Sequence, residues 1–135
     1  MRKVSVFGVV GVLAALLILA ACGGGASQAP TSGSAGGDAA AGKALFAQSV
    51  IGANPGCITC HSLEAGKTLV GPSMAGIASR AGSTVSGQSA EQYLRQSIVE
   101  PDAYVVKGFA KGLMPKPTLT EQQIGDLIAY MLTLK

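Results

Sequence analysis

Two cysteines three positions apart with a histidine directly after them, Cys57-Ile58-Thr59-Cys60-His61, constrain this chain more than any other feature, because they fix what its interior must be built around. Thiols at this spacing can add to the two vinyl groups of one porphyrin, and His61, the only histidine in 135 residues, is then placed to reach the iron. Two other chemistries use paired cysteines. A redox-active dithiol expects a strand–helix–strand setting that the neighbouring sequence lacks, and it leaves His61 without a role. A zinc site needs a fourth nitrogen, sulfur or oxygen ligand, and no second Cys or His cluster is present to supply it. The pattern therefore predicts one covalent haem c, attached through Cys57 and Cys60 and ligated by His61.

The rest of the composition suits an interior filled by such a group. The first forty or so positions do not read as folded protein, which leaves roughly ninety residues for a core. The chain has no Trp, three Tyr and three Phe, of which Phe7 is in the leader, so that core has few large side chains to remove surface from water. The net charge of +3 overstates the basicity, because Arg2 and Lys3 belong to the leader and their removal leaves eight basic against seven acidic side chains. No basic stripe interleaved with aromatics is present, so nucleic acid is not an expected partner.

The amino terminus predicts export. Residues 1–21 read as a signal peptide: Arg2 and Lys3 supply positive charge, and Val4 to Ala21 contains no charged residue. The ending Leu19-Ala20-Ala21-Cys22 resembles the lipobox of bacterial lipoproteins, which implies cleavage before Cys22 and a lipid on its sulfur. The same eighteen apolar residues also reach the lower limit of about 17 for a membrane-spanning helix, so an uncleaved anchor is the alternative. Either outcome holds the domain at a bacterial membrane, facing the periplasm or the cell exterior. Residues 22–41 are then a lipidated terminus and a Gly-, Ser- and Ala-rich flexible linker, with a typical reach of roughly 25 Å. The haem domain is expected over 42–135.

Within that domain the patterns are helical. A short helix is expected from Gly42 to about Val50, with Phe46 on its inner side, broken at Gly52 and Asn54-Pro55-Gly56. Recurrent glycines between Leu63 and Gln88 predict loop, with one short helix around Met74 to Ser79. Ser89 and Thr120 each open a helix with a capping box closed by Gln92 and Gln123. The last helix spaces Ile124, Leu127, Ile128, Met131 and Leu132 along one face. The fold class predicted is all-α, about four short helices around the haem, with the first and last helices packed together and Phe46 near Tyr130.

A second axial ligand is sought among the methionines, whose soft sulfur suits haem iron. Met1 is in the leader, Met131 lies on the last helix's apolar stripe, and Met74 sits among apolar neighbours, where methionine commonly fills gaps. Met114 lies fifty-three residues after His61 in a Gly-Leu-Met-Pro loop, and a loop position favours a ligand.

Cys57 to His61, then Gly71-Pro72, Met114-Pro115 and a C-terminal amphipathic helix bearing Tyr130 together make the segment from Gly42 to Lys135 resemble a class I cytochrome c. The resemblance implies that the Pro72 carbonyl accepts the second proton of the His61 imidazole, and that Arg80 hydrogen-bonds a haem propionate. Unlike the mitochondrial type, the chain lacks Trp, and Gly82 to Ser89 is short and Gly- and Ser-rich, so a further propionate partner cannot be carried over. Ser97 to Lys135 is similar to haem domains fused to some bacterial oxidase subunits and to the monohaem lipoprotein subunit of alternative complex III.

The expected function is one-electron carriage between membrane complexes, with no enzymatic reaction of its own. A quinol-oxidising complex, a terminal oxidase or a reaction centre are the partners in view, and Lys107, Lys111 and Lys116 form a basic rim that suits an acidic one. A fixed subunit of such a complex is the alternative. A ligand-binding or peroxidatic haem protein is a third, and requires Met114 to be off the iron.

Overall fold

A computed structural model describes residues 36–135. The expected signal peptide, Cys22 and the part of the linker before residue 36 lie outside the described residues. Five helices and one two-stranded hairpin follow in the order α1 (Ala39–Phe46), β1 (Val50–Ile51), β2 (Asn54–Pro55), α2 (Cys57–Cys60), α3 (Ile77–Thr84), α4 (Ala90–Val99) and α5 (Glu121–Met131). This is the all-α architecture, with the hairpin a small addition that no alternating pattern announces. None of the described helices is long and apolar enough to cross a membrane.

Helix α1 begins three residues earlier than Gly42, so residues 39–41 are its first turn and not the end of a linker. The cause is Asp38, whose carboxylate accepts the N–H groups of Ala40 at 2.7 Å and Ala41 at 3.2 Å. Those donors have no partner inside a helix, and an N-terminal Asp supplies one. The alanine run that looked like linker is a strong helix former once capped. The helix stops at Phe46, and the chain turns through the hairpin, pairing Val50 with Pro55 and Ile51 with Asn54. Gly52 takes φ +60° at the first turn position, which a two-residue connection requires and glycine tolerates.

Helix α3 starts at Ile77, three residues later than Met74, because Gly76 adopts the left-handed conformation (φ +69°) immediately before it. No side chain caps that end. The carbonyl of Leu134, from the chain's last residues, accepts the Ala78 N–H at 3.0 Å instead. Helices α4 and α5 begin as their capping boxes dictate, with Ser89 and Thr120 accepting the N–H groups of Gln92 and Gln123.

The core is made where α5 receives α1 on one side and α4 on another, while α3 packs on α4. Phe46, Leu94 and Leu127 are each 2 % exposed, and full burial of such a side chain stabilises by about 1.5–3 kcal/mol. Phe46 meets Tyr130 edge to face with centroids 5.6 Å apart, as the sequence predicts. The crossing is close because Gly42 carries no side chain: a Cβ there would lie 1.9 Å from the Asp126 carbonyl oxygen. Asp126 is itself buried, and its Oδ1 accepts the Asp38 N–H at 2.7 Å and Gln122 Nε2 at 2.8 Å.

Replacing Gly42 with Ala should therefore cost about 2 kcal/mol, as overpacking does. Gly125→Ala on the facing helix places its Cβ 3.7 Å from Gly37, an ordinary contact, and should be neutral or slightly stabilising. Thermal melting of the two variants checks the contrast, and equal midpoints would refute a crossing set by Gly42.

Candidate haem site

Helix α2 is one turn long, and that turn is the motif. The His61 N–H bonds the Cys57 carbonyl at 2.9 Å, and Thr59 holds the entry by donating its hydroxyl to the Gly56 carbonyl at 2.6 Å. Residues three apart in a helix share a face, so both thiols project the same way. They are not bridged to each other. Burial pushes the Cys57 thiol above its ordinary value, opposed by a backbone hydrogen bond and reinforced by the Cys60 thiol. A redox dithiol needs the reverse shift, because the thiolate is its nucleophile. Among the described residues no group of three or more His, Cys, Asp and Glu side chains forms a metal cluster.

His61 is held rigidly. Its Nδ1–H donates to the Pro72 carbonyl at 2.9 Å, which fixes the tautomer and leaves Nε2 with a free lone pair. Gly71 lies against the ring: a Cβ there would stand 2.6 Å from Cε1 and 2.9 Å from Nδ1. The loop that presents these two residues is bound to the motif at several points. The Gly71 N–H donates to the Cys60 carbonyl at 2.8 Å, the Met74 N–H to the Ser62 carbonyl at 2.8 Å, and the Ser73 hydroxyl to the Glu64 carbonyl at 2.7 Å. Ring and carbonyl therefore move as one unit.

Cys57, Cys60, His61, Pro72, Arg80 and Met114 all line one apolar cleft. Its cavity volume of about 210 Å³ far exceeds the roughly 10–15 Å³ that one water occupies, so it is no packing defect. Two thiols on one face, an imidazole with its free nitrogen fixed and an apolar enclosure are the donor set and surroundings that a covalent haem needs. All three methionines of the described residues line this cleft, Met74 and Met131 from the buried core and Met114, 36 % exposed, from its loop. Arg80 turns its guanidinium to the loop beneath His61, where it donates to the carbonyls of Ser73 and Ala75. Two of its five donors are used there, and the others remain for a further acceptor.

Much of the cleft wall comes from residues that the sequence reading did not single out as site residues. The irregular stretch 101–117 contributes Tyr104, Val105, Val106, Phe109 and Leu113, and α4 contributes Tyr93 and Ser97. Tyr93 and Tyr104 meet edge to face with centroids 5.9 Å apart, which fastens that stretch to α4. A high density of apolar residues in a segment with no helical period was the available signal.

Residues 39–135 match the family described as Cytochrome c. Similar proteins include two described as cytochrome c2 from Rhodopseudomonas palustris, 31 % and 32 % identical over 123 aligned positions, each alignment covering 73 % of this chain and 99 % of the relative. Cytochrome c2 iso-2 of Magnetospirillum molischianum is 31 % identical over 88 positions, covering 58 % of this chain and 91 % of its own.

Gly71→Ala should push the His61 ring off the Pro72 carbonyl at a cost of about 1–3 kcal/mol. The His61 Nδ1 proton, followed by NMR, should then exchange faster with solvent. An unchanged exchange rate and melting midpoint would mean that the ring has room to spare.

Proposed function

This chain belongs to the cytochrome c family and is a monohaem electron carrier, and we propose that it works tethered to a bacterial membrane, relaying single electrons between membrane complexes. Cys57 and Cys60 would hold the haem c through thioether bonds, and His61 and Met114 would supply a nitrogen and a sulfur to its iron. When bound, it supplies an iron that accepts and releases one electron. What carries this reading is the convergence of both thiols, the Pro72-fixed imidazole and the loop methionine on one apolar cleft.

The chain's own residues set how that iron behaves. Pro72 holds the His61 ring at one orientation, which would limit the rearrangement that accompanies electron uptake or loss. Its carbonyl also increases the basicity of the ligating nitrogen. Met114 offers a thioether, which raises the reduction potential relative to harder ligands. With both residues bound to the metal no position would be left for substrate, which would separate a relay from a ligand-binding or peroxidatic protein. The apolar wall from Ile98, Val105, Val106 and Phe109 keeps water from the group and lowers the local dielectric. Arg80, with donors left over from the loop carbonyls, is a partner for a propionate.

Tethering rests on Cys22 and the uncharged run before it. A lipid on that sulfur together with an acyl chain on its amine would anchor the domain stably on the periplasmic or outer side of the membrane, where one chain alone would not. Donor and acceptor are then redox proteins of the same membrane: a quinol-oxidising complex on one side, and a terminal oxidase or a reaction centre on the other.

In the ferric protein, sulfur ligation should give a weak charge-transfer band at the red end of the visible spectrum. Met114→Ala should abolish it and admit cyanide rapidly; a wild-type protein that lacks the band and binds cyanide fast would support the ligand-binding alternative. Separately, Cys22→Ser should move the protein from the membrane to the soluble fraction with its spectrum unchanged. Retention of that variant at the membrane would point to an uncleaved helix as the anchor.

A further inference from the structure

We propose that Asp102 is a positioning residue for Met114, holding the loop that carries the sulfur through the backbone N–H of Gly112. The proposal rests on the reading of Met114 as an iron ligand. Met114 lies in the stretch 101–117, which contains neither helix nor strand, and it is 36 % exposed. Neither core packing nor a backbone ladder therefore fixes its position.

Two side-chain hydrogen bonds reach into this stretch, and they bracket the methionine. Asp102 Oδ1 accepts the Gly112 N–H at 2.8 Å, two residues before Met114, and Asn54 Nδ2 donates to the Lys116 carbonyl at 3.5 Å, two residues after it. The second is at the limit of hydrogen-bond length. The first has normal length and an ionised acceptor, which makes it the stronger fastening. It also closes the whole loop from 102 to 112 at its neck, and Gly112 turns there with φ +79°.

Asp102 is itself tied to a rigid element. The Glu100 N–H bonds the Gln96 carbonyl at the end of α4, and the Ala103 N–H bonds the Glu100 carbonyl at 2.8 Å. Pro101 fixes the backbone between them. A continuous line of restraint thus runs from α4 through Asp102 and Gly112 to Met114. Losing the carboxylate frees the loop without removing any group from the core, so the ligand should detach more often while the fold stays intact.

The test compares ferric holoprotein of wild type, Asp102→Asn, Asp102→Ala and Met114→Ala. Asp102→Ala should bind cyanide roughly tenfold faster than wild type, a change in the range of one charge-assisted hydrogen bond. Its sulfur charge-transfer band should fade on heating well before the far-ultraviolet circular dichroism does. Asp102→Asn keeps an acceptor oxygen without the charge and should fall between; it also serves as the reporting variant should the alanine protein fold poorly. Wild-type cyanide rates and a band that persists to the unfolding temperature in both Asp102 variants would overturn the proposal. A wild-type protein without the band, with Met114→Ala binding cyanide no faster, would show that the ligand assignment has failed first and taken this proposal with it.

Discussion

The hydrogen bond from His61 Nδ1 to the Pro72 carbonyl is the interaction on which the site depends. An imidazole that can rotate or exchange tautomers is an indifferent ligand, and one held at 2.9 Å to a carbonyl can do neither freely. The bond is useful only because the carbonyl is also held. The Gly71 N–H fastens its loop to Cys60, and Ser73 and Arg80 fasten the residues that follow. Gly71 completes the arrangement by occupying so little space that the loop can lie flat against the ring.

The two sides of the site are organised differently. The side with the thiols and the histidine is a dense lattice of backbone hydrogen bonds over residues 56–76, including a one-turn helix whose purpose is to aim two sulfurs. The methionine side is an irregular chain with few fastenings, and what order it has comes from aromatic contact between Tyr93 and Tyr104 and from single hydrogen bonds. A haem seated between them would be supported by covalent attachment on one side and by a yielding loop on the other. A chain with six Phe and Tyr residues and no Trp has few large side chains of its own, so a haem in the cleft would add to its interior.

What could be read from sequence were the features whose cause is local. The cysteine pair and histidine, the capping boxes at Ser89 and Thr120, and the apolar stripe from Ile124 to Leu132 each depend on residues within a turn or two. The packing of Phe46 on Tyr130 was legible because two amphipathic helices had no other place to bury their faces. Features set by tertiary contact were not. Asp38 looked like a solitary charge in a linker because its role as a cap is reinforced by Asp126, 88 positions away. Helix α3 starts later than the sequence predicts because Gly76 turns left-handed before it, and the carbonyl that serves its first turn comes from Leu134, distant in sequence. The cleft wall over 101–117 has no period to detect, since the segment is neither helix nor strand.

If the chain is held by its amino terminus, as proposed, the crossing of α1 and α5 has a mechanical consequence. The chain enters the domain at Gly37, packed against the backbone of Gly125, and the next residue is pinned to Asp126 by its N–H. Phe46, which borders the cleft, is at the far end of α1. A pull on such a tether would arrive as shear along a glycine-tight helix pair and be borne there by closely packed backbone. The two cysteines sit on α2, outside that pair, while Phe46, Leu127 and Met131 of the pair line the crevice, so the load would reach its apolar wall and not its sulfurs.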